Sequence, residues 1–405
     1  MSNGPWMTAP QAAARLGVSR ATLYAYVSRG FIRSQATAGR SRVRGYARED
    51  VERLRQRAET RRDPETAAAG TLRWGVPVLE SAITLIDGSR LYYRGQDAAA
   101  LARTSTVEDV ARLIWGVRGA HAPIVEARFA EAHSAAMEPR EARPPSSGSF
   151  VSRAQQALAR AEAGDPGAFD VRPERVTAIG MRIIEIVAGA ATAGRRAASV
   201  DAALGRAWNL NDRATGIVRA ALILCADHEL NVSSFTARCI ASAGSSPYAV
   251  VIGGLAALEG PRHGGAGARV DAMLETARRG RDLPAAIAAR LQRGESIDGF
   301  GHPLYPEGDP RAAALLDLLR ASYPKSAELA YILAFARAAA DSDRGHPNVD
   351  FALASVRRVL RLPAGSPLVL FAVGRTIGWI GHAIEQYATG QLIRPRARYT
   401  GQRPS

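Results

Sequence analysis

Three short segments in the C-terminal half of this 405-residue chain set reactive side chains among helix breakers. GPRHGGA holds His263, GFGHPLYPEGDPRA holds His302 and Arg311, and NVDFALA holds Asp350. Two imidazoles and a carboxylate are the groups that carbon–carbon bond formation at a carbonyl needs: a general acid, a carbonyl polariser and a general base. Glycines beside the histidines let backbone and substrate approach closely. An apolar frame of Val349, Phe351 and Leu353 would raise the pKa of Asp350 and make it a better base. The competing reading of Asp350 is a plain N-cap for the helix FALASVRRVL. Arg311, after Asp309-Pro310, opens a helix and can clasp a carboxylate with two parallel bonds.

Other segments hold candidate partners. LCADHELNVSSFTAR puts His228 just ahead of a helix expected to begin near Ser233 or Ser234, where anionic groups are favoured. Taken singly, that DHE tripeptide reads first as a structural histidine bonded to a carbonyl. FAVGRTIGWIGHAIEQ is helical in pattern, with Gly374, Gly378 and Gly381 roughly on one face, which invites close approach of another helix. Arg375 lies on it, with Trp379 four residues on. Arg394 sits in the extended LIRPRARYTG segment. Singly, each of these two arginines reads as a solvated surface residue.

Composition removes several classes. Lys325, in YPKSAE, is the only lysine, which argues against a P-loop and a Schiff-base mechanism. Cys225 and Cys239 are the only cysteines and lack CxxC spacing, which argues against a disulfide framework or a cysteine zinc site and fits a reducing cytoplasm. No metal is expected. No charged segment followed by an apolar one opens the chain, so no signal peptide is read. The uncharged apolar stretch Tyr248 to Leu258 falls short of the ~20 residues a bilayer span needs and reads as a buried helix. The net charge of +15 invites a nucleic-acid reading, but arginine supplies nearly all of it alongside heavy alanine use, as in a chain-wide bias.

The elements that must position these residues fall into two parts. Residues 1–61 read as a winged helix–turn–helix. Thr8 and Gln11 have capping-box spacing, Gly17 ends the first helix, Ser19 caps RATLYAYVSR and Gly30 ends it. Leu16, Val18, Leu23 and Val27 can close a small core. FIRSQATAGRSRVRGY has the character of a hairpin wing, and a third helix is expected over about 47–61. Ser19, Arg20, Arg29, Arg40 and Arg42, on the second helix and wing, are candidate DNA contacts. The segment resembles the MerR/excisionase type. Protein contact is the alternative use of such a module. Residues 62–73 read as a linker. Beyond it, GVPVLESAITLIDGSRLYYRGQD alternates around Asp87-Gly88 as a hairpin. The rest, without strand-rich stretches, reads as helices separated by Gly/Pro turns.

The ordered segments DHE, GPxHGG, GFGH…DPR, NVDF, GRxxGW and RP…YTG, together with SAITLIDGSRLYYRGQDAAALA, resemble the citrate synthase family over about residues 76–401. The resemblance implies a mainly α homodimer without a cofactor. Its large domain would span 74–265 and 363–405, and its small domain 266–362. It implies condensation of the co-substrate acetyl-CoA with oxaloacetate to citrate and free CoA. Asp350 would take the methyl proton, His263 stabilise the enol, and His302 polarise the oxaloacetate carbonyl. His228, Arg311 and Arg375 would hold carboxylates, with Arg394 reaching in from the partner subunit. Three departures from common family patterns stand out: Pro303 after the GFGH histidine, the approach Asp343-Arg344-Gly345-His346-Pro347 before NVDF, and Gly267 after HGGA. The first two bear on CoA phosphate contacts, where Arg344 could substitute. Two other readings stay open: a 2-methylcitrate synthase using propionyl-CoA, and a DNA-binding regulator that senses metabolites through this body. No membrane association is expected.

Overall fold

A computed structural model describes residues 6–36, 44–52, 54–55, 79–117, 148–195, 197–280, 282–342, 345–397 and 399–402. The chain divides into two compact units, Met1–Glu80 and Ser81–Ser405.

In the first unit, strand β1 (Trp6–Met7) leads into α1 (Ala9–Leu16), and α2 (Arg20–Ser28) follows. The Thr8 amide donates to Gln11 Oε1 at 2.9 Å, Gly17 ends α1 at φ +64°, and Ser19 Oγ accepts from the Thr22 amide at 3.1 Å. The expected caps are therefore in place. Strands β2 (Ser34–Ala36) and β3 (Arg44–Ala47) pair antiparallel, and β1 adds to the other edge of β3. Helical residues 48–52 and 54–55 come next. Met7, Ala12, Ala13, Leu23, Ile32, Tyr46 and Val51 form the core, with Leu16 and Val27 packed beside it. Val18, expected in that core, is only partly buried. The wing tip with Arg40 and Arg42, and the expected linker 62–73, lie outside the described residues.

The second unit opens on a hairpin of β4 (Thr84–Asp87) and β5 (Arg90–Tyr93), followed by β6 (Gln96–Asp97). Asp87 pairs with Arg90, so the two-residue turn is Gly88-Ser89, one position later than the Asp-Gly signal suggests. Gly88 takes φ +57°, which its missing Cβ permits. Fourteen helices follow among the described residues: α3 (Ala98–Thr104), α4 (Val107–Trp115), α5 (Phe150–Ala163), α6 (Pro173–Thr192), α7 (Val200–Ala207), α8 (Asp212–Leu224), α9 (Val232–Ser242), α10 (Pro247–Glu259), α11 (Ala266–Arg279), α12 (Leu283–Gln292), α13 (Pro310–Ser322), α14 (Ala327–Asp341), α15 (Val349–Leu360) and α16 (Ser366–Thr389). The only strand-like pairing after β6 among the described residues is an isolated bridge between Phe300 and Pro347.

Helix α16 runs through the core and packs on α6, α8, α9 and α10. It is long and apolar enough to cross a membrane, yet 89% of its apolar window is buried inside the fold. Its glycines permit that packing. A Cβ at Gly374 would stand 2.4 Å from the Leu222 carbonyl oxygen, and one at Gly378 2.4 Å from that of Ala226. One at Gly381 would meet Ile114 at 2.7 Å. The C-terminal end of α8 therefore lies directly on α16. Trp379, Ile377, Ile380 and Leu370 are fully buried there, each worth roughly 1.5–3 kcal/mol of burial or more. Helix α15 packs against α11, α13 and α14 as well as α16.

Candidate active site

Most candidate side chains sit in a turn or at a helix start, while Arg375 lies within α16 and Arg394 in the C-terminal coil. His228 lies in the turn between α8 and α9, where Asn231 caps α9 through the Ser234 amide at 2.9 Å. The helix thus starts at Val232, slightly earlier than expected. Asp309 caps α13, placing Arg311 in its first turn. Asn348 caps α15 by accepting from the amides of Asp350 and Phe351 at 3.0 and 3.4 Å. Asp350 is therefore not the cap, and its carboxylate is released from that task.

Backbone pairing joins the His302 loop to the start of the Asp350 helix. The Gly301 amide donates to the His346 carbonyl and the Asn348 amide to the Gly299 carbonyl, each at 2.8 Å. Asn348 Nδ2 adds a bond to the Gly301 carbonyl at 3.1 Å. Gly299 adopts φ +84°, and a Cβ there would lie 2.9 Å from Phe351 Cβ. A second tie comes from Asp309. Its carboxylate accepts two bonds from the Arg311 guanidinium, at 2.9 and 2.7 Å, and one from the Val349 amide at 3.0 Å. One buried aspartate thus fixes Arg311 and the helix that carries Asp350 together.

The aromatic rings pack into a cluster. His228 and His302 lie 5.1 Å apart between centroids, and Tyr305 stands 5.5 and 5.0 Å from them. Tyr305 Oη is 2.9 Å from His228 Nε2. The Arg311 guanidinium lies 5.8 Å from the Tyr305 ring centre. Phe371 links the remaining pair: it meets His263 edge-on at 5.7 Å and stacks under Arg375 at 4.7 Å. His263 Nε2 contacts Ser233 Oγ at 2.9 Å. Arg375 is fully buried, and its Nε donates to the Cys225 carbonyl at 2.8 Å. Its Nη1 and Nη2 are buried without a hydrogen-bond partner among the described residues.

Burial sets the charge states. It depresses His263 and His302 to a pKa of about 4, with Arg375 adding to the effect on His263 and Arg311 to that on His302. His228 falls well below the usual histidine range, first through burial and then through Arg311 and Arg375. All three rings are neutral at pH 7. His302 Nδ1 accepts from the Leu304 amide at 3.2 Å, so the ring proton sits on Nε2, ready to donate. Asp350 is raised to about 6, chiefly by desolvation, with Arg311 opposing. A base of that pKa is ionised at neutral pH and still basic enough to accept a proton. Arg375 is lowered by burial, against the support of Asp227.

The structure therefore gathers His228, His302 and Arg311 around Tyr305, with Arg375 near enough to act on the charge of His228, His263 tied to Arg375 through Phe371, and Asp350 tied to Arg311 through Asp309. Arg394 is exposed in the C-terminal coil, and no contact among the described residues links it to that group. Asp309, Ser233, Tyr305 and Phe371 escaped the reading of the sequence. The Asp309-Pro310 cap was the one available signal for any of them. Of the three departures, Gly267 packs where a Cβ would meet Pro367 at 2.8 Å, Pro303 is exposed, and Arg344 lies outside the described residues. No group of His, Cys, Asp or Glu suited to a metal ion occurs among the described residues. In the first unit Ser19 is the α2 cap, while Arg20 and Arg29 are exposed.

Comparison with known proteins agrees with the helical fold. Residues 71–396 match the family described as citrate synthase, C-terminal domain, and residues 6–58 match a helix-turn-helix domain. The citrate synthase of Haloferax volcanii is 32% identical over 360 residues, which cover 81% of this chain and 95% of that protein. Citrate synthase 2 of Bacillus subtilis is 40% identical over 184 residues, 45% of this chain and 50% of its own length, so the chain spans only half of that relative. The 2-methylcitrate synthase of Shewanella oneidensis is 33% identical over 193 residues, covering 47% of this chain and 52% of its own. The crystal structure of citrate synthase from Thermotoga maritima MSB8 superposes with a TM-score of 0.68 at 27% identity, covering 82% of this chain and 95% of that one.

Proposed function

The chain belongs to the citrate synthase family, and from that membership we infer that it condenses acetyl-CoA with oxaloacetate to give citrate and free CoA. The observation that carries this reading is Arg375, a buried guanidinium whose two terminal amino groups have no hydrogen-bond partner among the described residues. Leaving such donors unmet costs ~1–3 kcal/mol or more, and a substrate carboxylate would meet them with charge-assisted bonds. A keto acid bound there brings its carbonyl toward the neutral imidazoles of His228 and His302.

The steps follow from the protonation states. Asp350 takes a proton from the acetyl methyl group while His263 hydrogen-bonds the thioester oxygen. A thioester α-proton is too weakly acidic for a base acting singly, so both groups are needed, at ~10²–10⁴-fold each. The resulting enol carbon attacks the keto carbon of oxaloacetate, and the keto oxygen takes the proton that His302 carries on Nε2. Water then cleaves the citryl thioester, releasing CoA. Closure of residues 266–362 over the bound keto acid would exclude water until that step. Arg394 would complete the carboxylate contacts from the second subunit of a homodimer.

A thiol-release assay with oxaloacetate and acetyl-CoA tests the reading, and absence of CoA release refutes it. Propionyl-CoA assayed beside acetyl-CoA decides between citrate and 2-methylcitrate synthesis, because one methylene discriminates by only ~1–3 kcal/mol. A second activity is favoured by helix α2, whose exposed stripe carries Arg20, Tyr24 and Ser28 at four-residue spacing, with Arg29 exposed just beyond. Such a stripe suits the major groove of DNA. Replacing Arg20 and Arg29 together with alanine would flatten the salt dependence of duplex binding by about one unit of slope per lost phosphate contact. Wild-type protein that shifts no DNA at low salt ends this second reading.

A further inference from the structure

A second polar cluster adjoins His228 and Arg375, and the condensation chemistry does not use it. Asp227, next to His228, is fully buried. Its Oδ2 accepts from Thr84 Oγ1 at 2.5 Å, and its Oδ1 lies 3.1 Å from His382 Nε2. Arg238 Nη1 approaches His382 Nδ1 at 3.5 Å and donates to Glu385 Oε2 at 2.9 Å. An arginine can only donate, so it directs the His382 proton to Nε2 and onto Asp227. Glu385 Oε1 in turn accepts from the Ala82 amide at 2.9 Å, and Arg238 Nε donates to Gln386 Oε1 at 2.9 Å. A chain of polar groups thus runs from the β4 hairpin through the turn after α8 to the last turns of α16.

The same turn is tied down by its backbone. Cys225 O accepts from Arg375 Nε at 2.8 Å, Ala226 O accepts from the Gly378 amide at 3.0 Å, and the Asp227 amide donates to Tyr93 Oη at 3.5 Å. Well-packed apolar groups often give equal or greater stability than a buried ionic network, so stability is a weak reason for this one. Its location offers a better one. The groups it holds, His228 by sequence and Arg375 through Cys225, are those that must meet one substrate anion together. Asp227 also supports the charge on Arg375 while leaving Nη1 and Nη2 without partners.

We propose that Asp227 is a positioning residue for substrate recognition: held by Thr84 and His382, it fixes the 225–228 turn so that His228 and Arg375 act on the same carboxylated substrate. This rests on the condensation reading above. The test compares wild type, Asp227→Asn and Thr84→Val by steady-state thiol release and by thermal stabilisation with oxaloacetate. Asparagine keeps the shape of the side chain but removes its charge. The expected result is a KM for oxaloacetate raised about tenfold or more, as small misplacements of binding groups produce, with kcat and the KM for acetyl-CoA within about threefold of wild type. Thr84→Val, at the edge of the cluster, should raise only the oxaloacetate KM, by about threefold. An unchanged oxaloacetate KM in folded Asp227→Asn, or equal rises in both KM values, overturns the proposal. Should that variant fail to fold, an unchanged oxaloacetate KM in Thr84→Val overturns it instead. Wild-type protein that neither binds nor turns over oxaloacetate overturns the condensation reading and this proposal with it. Wild-type turnover with unaffected variants overturns this proposal only.

Discussion

Asp350 is where activity and stability should trade most openly. Desolvation raises its pKa from 3.8 to about 6, so the folded protein binds that proton more tightly than the unfolded chain does. A carboxyl raised in this way adds stability while protonated and loses that contribution as pH rises through about 6. At pH 7.5 the burden is about 3 kcal/mol, at 1.36 kcal/mol per pKa unit. Asp350→Asn keeps the shape and removes the charge, so it should recover much of that. With an unfolding entropy of about 2.1 cal/mol/K per residue over the Ser81–Ser405 unit, the gain is about 4 °C in Tm. Melting at pH 7.5 and pH 4.5 provides the assay: the variant should melt higher at pH 7.5, and the gap should shrink to about a third at pH 4.5, where the folded carboxyl is protonated but the unfolded one, at 3.8, is still mostly ionised. Thiol release at pH 7.5 should fall about a thousandfold, within the range for a positioned base. A variant that melts no higher at pH 7.5 refutes the desolvated site, and turnover within tenfold of wild type removes Asp350 as the base.

Three further outcomes follow from the same geometry. The pH profile of kcat/KM should rise with unit slope up to about pH 6 as Asp350 ionises, without a second bend down to about pH 5, because His263 and His302 titrate near 4; a bend near 6.5 with two ionisations would show imidazoles that are wet. Arg375→Met should raise the oxaloacetate KM by about two orders of magnitude, the worth of roughly 3 kcal/mol of charge-assisted bonding, while changing Tm little, because two unmet buried donors go together with the bond to the Cys225 carbonyl; steady-state kinetics and melting check both. Gly378→Ala should cost about 2 kcal/mol or more in denaturant unfolding, since its Cβ would stand 2.4 Å from the Ala226 carbonyl oxygen and force the helices apart; an unchanged midpoint would show that the turn can yield.

Much of the architecture was legible in the residues. The helix caps Ser19 and Gly17, the apolar helix ending near Leu258 and the glycine face of α16 are local signals, and local backbone chemistry fixed them. The hairpin was placed one residue off, because Asp-Gly is the stronger turn signal while the pairing of Asp87 with Arg90 puts Gly88-Ser89 in the turn. Val18 was expected in the small core and is only partly buried, since it lies in the turn between α1 and α2, where no helix face fixes the direction of its side chain.

The site divides along the same line. Residue types and the order of motifs determined which side chains could do acid–base work and bind carboxylates: histidines, aspartate and arginines beside helix breakers carry that information wherever they end up in space. Only the tertiary structure decided their states. Burial makes the imidazoles neutral and raises Asp350, and the Val349 amide ties Asp309 to the helix that carries Asp350. It also leaves the Arg375 terminal amino groups without partners among the described residues and sets Asp227 near enough to support their charge. Desolvation and hydrogen bonding depend on atoms 40 to 300 positions away along the chain, such as the Val349 amide on Asp309 and the Ala82 amide on Glu385, and no pattern of neighbouring residues encodes them.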